Sequence, residues 1–395
     1  MQEFINVHCH LLNFQFVPDS YFRTRAPVRK WLLRNSATRW IARIVTVLLP
    51  GNKYDRLHEV LDIINYKDIS AVAAKLIQEM SASINGEIVL SIPLMMDLET
   101  TSLDEKPEIP YRHQVEFISD IAKKYPGQLM PFLMVDPRRY DVIGLVKNAL
   151  EKRGFLGVKM YPSFGYDPNP GSFYNDRIVN TELMLLYRYC EDASIPITTH
   201  CSPSGSYNSD AISCRKIYQK YCSPSNWKRV LEIYPKLYLN FGHFGGCGAF
   251  LDKSKSEEDR ESQEWNVAIQ QLMREYEHVY ADLAYHSAAV KPEFAHGYFA
   301  KLSKLMEDEL IKHRIIFGTD WLMTRHTWEE KDFVNAFIAL PPAILNLIAL
   351  ENPLDFLFRE RKLPHRIKSF WDKNNISQPQ YPQWVKKHLT LTTQS

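Results

Sequence analysis

The sequence predicts an α/β fold, a (β/α)8 TIM barrel with a helical insertion after strand 1 and a helical C-terminal extension. Eight short runs rich in Val, Ile, Leu and aromatic residues end in polar or glycine-rich turns, as buried parallel strands do. Amphipathic helical segments lie between these runs. From the fourth run on, the strand–helix unit repeats at roughly 40 residues. A doubly wound open sheet is the alternative, but its switch point cannot be located in the sequence.

The predicted elements alternate along the chain. In the segment 113–125, the apolar residues Val115, Ile118, Ile121 and Ala122 recur at helical spacing, which predicts a helix. The predicted strands are residues 4–10, 87–93, 129–136, 157–162, 196–201, 237–242, 279–284 and 314–320. The predicted helices are residues 113–125, 140–153, 181–193, 224–234, 262–275 and 292–312.

One segment breaks this alternation, because residues 18–80 separate strands 1 and 2 by far more than one helix needs. Within it, residues 28–49 place arginine and lysine among tryptophan, leucine and isoleucine, which predicts a basic amphipathic helix. We favour a helical insertion that covers the barrel mouth. A helix that binds a membrane surface or a partner is the alternative.

The C-terminal part is predicted to be helical and then loose. Residues 333–350 are strongly apolar, and Pro341-Pro342 forces a break in them. From residue 374 on, apolar residues are few. The prediction is therefore one barrel domain over residues 1–373 and a surface tail over residues 374–395.

Composition excludes several classes of protein. The 48 basic and 46 acidic residues nearly cancel, which argues against nucleic acid as a partner. The six cysteines are scattered without a C-x-x-C pair, which is typical of reduced thiols in a cytoplasmic protein. The sequence shows no signal peptide and no apolar run of membrane-spanning length, so we expect no integral membrane segment. Homo-oligomerisation stays open.

The ends of the predicted strands carry residues suited to metal binding. A strand places residues i and i+2 on the same face, so His8 and His10 can reach one ion together while Cys9 points away. In a parallel barrel the active residues come from the C-terminal ends of the strands. The further candidates at these ends are Lys159, His200, His243 and Asp320.

Imidazole and carboxylate ligands suit a borderline divalent ion such as zinc. Three histidines and one aspartate leave room for a water, whose pKa zinc lowers towards neutrality. Taken singly, His200 reads as a satisfied buried histidine, Lys159 as a paired structural lysine and Asp320 as a helix cap. Chance is a poor explanation for the position of the histidines and Asp320 at the same end of their predicted strands.

These motifs, in this order, resemble the amidohydrolase superfamily. More narrowly, they resemble the amidohydrolase-related branch that includes aminocarboxymuconate-semialdehyde decarboxylase and related hydrolases. The resemblance covers most of residues 1–360 and leaves out the insertion and the tail. The matching pieces are NVHCH, FLGVKMYPSFGYDP, PITTHCS, LNFGHFGG, IIFGTDW and ALENPLDFLF.

The resemblance implies roles for the strand-end residues. Asp320 would also accept a proton from the activated water. His243 would be a second-metal ligand or, in a one-metal site, would polarise the substrate or orient water. Lys159 would bridge two ions if carbamylated, and would bridge nothing in a one-metal site. One ion, with Zn²⁺ as first choice, is favoured over two. The implied metal ligands are His8, His10, His200 and Asp320.

A small-molecule substrate is expected to bind near the same strand ends. Arg325 would suit a substrate carboxylate through a bidentate contact. Each candidate could instead pack the rim of the barrel. The substrate-binding candidates are Tyr161, Tyr166, His286, Trp321 and Arg325.

Three functions are compatible with this sequence. The first is a metal-dependent hydrolase that uses activated water on a C–N or C–O bond of a small carbonyl substrate. The second shares the site and is a non-oxidative decarboxylase of a small unsaturated or aromatic acid. The third is a catalytically silent barrel that binds a metal or a partner, and it ranks lowest because every ligand position is filled.

Overall fold

The computed structural model of the chain describes residues 1–19, 56–101, 105–205, 219–251 and 256–391. Within them, eight parallel strands alternate with helices, as the sequence predicts. The strands β1 to β8, in chain order, are Gln2–Cys9, Gly86–Pro93, Phe132–Val135, Gly157–Met160, Ile197–His200, Leu239–Gly242, Val279–Asp282 and Ile315–Ile316.

Backbone contacts connect the strands into a ring. β1 pairs with β2, and parallel pairing runs without interruption from β3 to β8. A bridge joins Leu94, just after β2, to Phe132 of β3. The amide of Val7 in β1 donates to the carbonyl of Phe317, directly after β8, at 3.1 Å. These contacts confirm the predicted barrel.

The helices flank this ring, and several begin at a side-chain cap. Asp176 accepts a hydrogen bond from the amide of Val179, and Ser256 accepts one from Asp259, which satisfies amides that a helix start leaves open. In chain order, helices α1 to α13 are Leu57–Ile64, Ile69–Met80, Tyr111–Lys124, Val142–Lys152, Arg177–Asp192, Lys228–Ile233, Glu257–Glu275, Pro292–Leu305, Glu330–Ile338, Pro342–Asn346, Asn352–Leu357, His365–Lys373 and Gln383–His388.

One predicted element differs from the structure near the site, and a second agrees with it. The predicted eighth strand over residues 314–320 is reduced to Ile315–Ile316, and Asp320, at its predicted end, adopts a left-handed backbone with φ of 62°. The apolar segment over residues 333–350 breaks at Pro341-Pro342, as predicted, and continues through the π-helix Leu347–Glu351.

The predicted insertion over residues 18–80 is described only in part. Its described part contains α1 and α2, which Arg56 joins to the main body by donating to Glu329 at 2.5 Å. The basic helix predicted over residues 28–49 lies outside the described residues. Among the described helices, none has the length and apolar character that a membrane crossing requires.

The amino ends of the strands are sealed by apolar side chains. Ile5 and Val7 of β1 belong to a buried cluster that also contains Trp371 and Trp384 from the C-terminal helices. The Trp384 indole donates to the carbonyl of Gly127, shortly before β3, at 2.9 Å. The C-terminal helices therefore pack against the end of the barrel opposite the strand-end histidines.

Candidate metal centre

The strand ends bring the predicted ligand residues together at one end of the barrel. His8 lies in β1 and His200 ends β5, while His10 and His243 directly follow β1 and β6. Asp320 lies in the loop after β8. All five side chains are buried. The candidate residues from four strands thus meet in the barrel interior.

Distances define a compact cluster. The rings of His8 and His243 are 4.6 Å apart, and those of His200 and His243 are 4.8 Å apart. Asp320 Oδ1 lies 3.1 Å from His10 Nε2 and 3.9 Å from His8 Nε2. One carboxylate oxygen therefore faces the Nε2 atoms of two histidines.

Hydrogen bonds fix which nitrogen of each ring faces the cluster. His8 Nδ1 lies 3.0 Å from Asp282 Oδ2, and His10 Nδ1 lies 2.8 Å from the carbonyl of Leu94. An acceptor at Nδ1 requires Nδ1 to carry the proton, which leaves Nε2 as the free lone pair. Metal-bound histidines are oriented in the same way by carboxylates and carbonyls.

The other two histidines are held by backbone carbonyls. His243 Nδ1 lies 3.1 Å from the carbonyl of Ala284, which leaves its Nε2 as the lone pair. His200 is held through the opposite atom, because its Nε2 lies 2.8 Å from the carbonyl of Ser204. Its free nitrogen is therefore Nδ1, which distinguishes this ring from the other three.

Asp282, the last residue of β7, organises the cluster, although it is not among the residues that the sequence predicts for the site. Its Oδ2 contacts His8 and accepts from Asn240 at 2.8 Å. Its Oδ1 accepts from the amides of His243 and Ala284 at 2.9 and 3.1 Å. One carboxylate therefore fixes a side chain of β1 and the backbone after β6. The only signal in the sequence is an acidic residue inside the apolar run VYADLA.

The electrostatics favour neutral histidines beside a charged aspartate. Burial lowers the pKa of His8, His200 and His243 below the ordinary value for histidine. Burial alone would raise the pKa of Asp320, but contacts with His10 and His8 bring it below its usual range. A neutral imidazole and an ionised carboxylate are the protonation states that bind metal.

Lys159 lies in β4 and is fully buried. Within the described part of the chain, its amine has no hydrogen-bond partner. Burial lowers the pKa of Lys159 to about 8, although Asp282 and Asp320 oppose this shift. The amine lies 5.6 Å from the ring centre of Tyr161, so it belongs to the same interior as the histidines.

The donor atoms fit a divalent cation. Ligand atoms of His8, His10 and Asp320 all lie within 4.8 Å of one another, and those of His8, His243 and Asp282 form a second such group. His8 Nε2 is buried without a hydrogen-bond partner among the described residues. Burying an unpaired polar atom is costly, and a cation at this point would satisfy it. Neither group of three contains His200, which lies beside them against His243.

Strained backbone supports a functional role for this end of the barrel. His243 and Phe244 adopt φ values of 68° and 46°, and Asp320 and Leu322 adopt 62° and 67°. Residues other than glycine rarely adopt this left-handed backbone conformation, which costs roughly 1–3 kcal/mol per residue. Such residues cluster at functional sites because the surrounding structure holds them in place.

Of three predicted substrate-binding residues, one borders the cluster and two lie behind it. Tyr161 stacks on His200 with ring centres 4.2 Å apart, so it borders the cluster. The Tyr166 hydroxyl accepts from the amide of Tyr161 at 3.0 Å. His286 Nε2 contacts the carbonyl of His243 at 2.9 Å, behind that residue. These last two side chains support the cluster residues from behind.

Arg325 and Trp321 differ from the prediction. The Arg325 guanidinium lies 2.6 Å from Glu59 and 3.0 Å from Glu79, so its charge is balanced inside the protein. The Trp321 indole donates to Glu79 at 3.0 Å. The structure therefore corrects the carboxylate-binding role predicted for Arg325, because the protein carboxylates of Glu59 and Glu79 already pair with its charge.

Comparison with known proteins identifies the family of this chain. The family model described as amidohydrolase matches residues 92–359, more than half of the chain. The chain therefore belongs to the amidohydrolase family, and the predicted membership and enzymatic character are confirmed. No curated protein matches the sequence.

Several solved structures share the fold. The 5-carboxyvanillate decarboxylase of Novosphingobium aromaticivorans, solved with manganese, is 12% identical with a TM-score of 0.54, over 90% of this chain and 97% of that one. A probable 2-pyrone-4,6-dicarboxylic acid hydrolase of Acinetobacter baumannii is 14% identical with a TM-score of 0.51, over 90% and 98%. An uncharacterized TIM-barrel protein of Bordetella bronchiseptica is 15% identical with a TM-score of 0.51, over 94% and 99%. These likenesses show the fold.

Proposed function

We propose that this protein is a metal-dependent hydrolase that cleaves a C–N or C–O bond of a small carbonyl substrate. The observation that carries the proposal is the buried lone pair of His8 Nε2, facing His10 and Asp320 without a protein partner among the described residues. We propose Zn²⁺ as the ion, because imidazole and carboxylate ligands suit it. When bound, such an ion activates water and polarises a carbonyl oxygen.

The residues around the cluster have distinct tasks in this proposal. His8, His10 and Asp320 would hold the ion, and His200, which lies beside them against His243, would be the fourth ligand. Asp320 is also the proton acceptor, since its contacts with the histidines keep its pKa low and its carboxylate ionised. His243 carries its proton on Nδ1, toward Ala284, so its Nε2 orients the substrate or water as an acceptor.

We favour one ion per chain with Lys159 as a free amine. In that arrangement Asp282 orients His8 through Nδ1 rather than binding metal itself. The alternative is two ions with a carbamylated Lys159 between them. Metal analysis by mass spectrometry and intact-protein mass measurement separate the two arrangements, since carbamylation adds a mass that acid removes.

Decarboxylation of a small unsaturated or aromatic acid is the second candidate. It is supported by the fold shared with the 5-carboxyvanillate decarboxylase, at a TM-score of 0.54. In this reaction a C–C bond breaks to release carbon dioxide, and Asp320 or His243 delivers a proton to the carbon that carried the carboxylate. Release of carbon dioxide from aromatic acids, without hydrolysis of lactones, esters or amides, would select this reaction.

The test of the site uses His8→Ala and Asp320→Asn together with the chelated and metal-reconstituted wild-type enzyme. We expect the metal affinity of each variant to fall more than about 100-fold. This exceeds the 10–100-fold loss of affinity caused by residues that only orient ligands. Turnover should fall with metal content while the circular dichroism spectrum stays unchanged. Retention of both metal and turnover in either variant contradicts the proposal, and a folded wild type without metal affinity supports a catalytically silent barrel.

A further inference from the structure

The described part of the insertion reaches the metal cluster through one carboxylate. Glu79 lies in the last turn of α2, only 8% exposed. Its Oε2 accepts from the indole of Trp321 at 3.0 Å. Its Oε1 accepts from Arg325 Nε and Nη2 at 3.2 and 3.0 Å. Both oxygens therefore contact the loop that follows β8, and Oε1 also lies 3.1 Å from the amine of Lys75 in the same helix.

That loop is the segment that carries Asp320. Trp321 is fully buried, and the residues on either side of it, Asp320 and Leu322, both adopt left-handed backbone conformations. The carbonyl of Trp321 accepts from the amide of His10 at 2.8 Å. A left-handed backbone at these residues persists only where side chains over-determine it. Backbone hydrogen bonds from the amides of Thr319 and Asp320 to the carbonyl of His8 hold this loop from inside the barrel, and Glu79 adds a side-chain contact from outside.

We propose that Glu79 is a positioning residue for the metal centre, which holds Asp320 against His8 and His10 by fixing Trp321 and Arg325. This inference rests on the proposed function, since it assigns Glu79 a role toward a bound ion. It also gives the insertion a role in the site, although the sequence places α2 some distance from any ligand.

A second carboxylate provides a matched control. Glu59 in α1 also binds Arg325, at 2.6 Å, and it is hydrogen-bonded to Arg56 at the surface. Trp321 donates its indole N–H to Glu79. Loss of the Glu59 charge therefore removes ion pairs with Arg325 and Arg56 and leaves the indole contact intact. Loss of the Glu79 charge removes ion pairs with Arg325 and Lys75 and weakens the indole contact as well.

The experiment measures Co²⁺ binding to metal-free wild type, Glu79→Gln, Trp321→Phe, the double variant and Glu59→Gln. The readouts are the dissociation constant, from competition with a chelator, and the visible absorption of Co²⁺, which reports ligand geometry. We expect Glu79→Gln to weaken binding about 10-fold, at the low end for residues that orient ligands, and to alter the spectrum. Glu59→Gln should stay within about 2-fold of wild type, and Trp321→Phe should add little to Glu79→Gln, because coupled residues are not additive.

Each outcome decides the proposal. Wild-type affinity and spectrum in a folded Glu79→Gln variant overturn it, as do equal losses in Glu79→Gln and Glu59→Gln, which would reflect the Arg325 charge alone. Should Glu79→Gln fail to fold, Trp321→Phe carries the test, since it removes the indole donor and keeps an aromatic ring at this buried position. Unchanged Co²⁺ binding in Trp321→Phe overturns the proposal. Absence of Co²⁺ binding by the wild type contradicts the proposed function instead, so the two failures are distinguishable.

Discussion

The two ends of the barrel bury different kinds of side chain. At the carboxyl end, His8, Lys159 and Asp282 are buried polar groups, and some of their atoms have no partner among the described residues. At the amino end, Ile5 and Trp384 lie in a continuous apolar cluster. Buried polar groups cost free energy, whereas buried apolar area supplies it. The amino end thus stabilises a barrel whose carboxyl end is arranged for chemistry.

The largest effect on folding is expected at the amino end, in Trp384→Ala. Trp384 is 2% exposed, and its ring packs 5.8 Å from that of Phe358. Its truncation leaves a cavity and removes the hydrogen bond to Gly127, which should lower the free energy of unfolding by about 3–5 kcal/mol. Urea denaturation measures this change.

The same variant should bind metal as the wild type does, because the cluster lies at the other end. Phe173→Ala serves as the control, since Phe173 is 85% exposed and should change the free energy of unfolding by less than about 0.5 kcal/mol. A loss of metal affinity in folded Trp384→Ala would show that the two ends are not independent.

At the carboxyl end the expected effect is on the metal rather than on the fold, in Asp282→Asn. Four donors surround the Asp282 carboxylate, and an asparagine offers them only one oxygen. The amide NH2 then faces His8 or the backbone after β6. We expect metal affinity to fall about 10–100-fold, measured by chelator competition.

Asp308→Asn makes the same chemical change at the surface, where Asp308 pairs with Arg274 at 2.8 Å. It should leave metal affinity unchanged. Equal affinities for Asp282→Asn and wild type would remove Asp282 from the set of positioning residues.

The contrast between the two ends also explains what the sequence predicts and what it leaves out. Buried parallel strands appear as apolar runs, so the barrel and the strand-end position of His200 follow from local patterns. The role of Asp282 depends on donors from two other strands, β1 and β6, and Glu79 contacts Trp321 although more than two hundred residues separate them in the sequence. Local periodicity carries no information on such long-range polar contacts. For this reason the sequence predicts a substrate-binding role for Arg325, whereas the structure shows its contact with Glu79.

The third prediction concerns Glu330 in α9, which supports the carboxyl end from behind. Its Oε1 accepts from Asn6 at 3.0 Å and from Thr319 at 2.9 Å, between β1 and the Asp320 loop. Burial raises the pKa of Glu330 to about 8, from an ordinary value of 4.5. The folded protein therefore keeps a proton that the unfolded chain loses. The stability that this group contributes is complete below about pH 4.5 and is lost as the pH rises through about 8.

Glu330→Gln removes this dependence, because the amide oxygen accepts the same two hydrogen bonds and does not titrate. Between pH 5 and pH 8, the unfolding free energy of the metal-free wild type should fall relative to this variant by up to about 1.4 kcal/mol per pH unit. Glu329→Gln is the control of opposite sign. Hydrogen bonds from Lys331 and Arg56 lower the pKa of Glu329 to about 2, so its contribution is constant over this range. Parallel stability curves for wild type and Glu330→Gln would mean that Glu330 is ionised in the folded protein. The polar character of this end would then extend beyond the metal cluster to α9, which lies behind it.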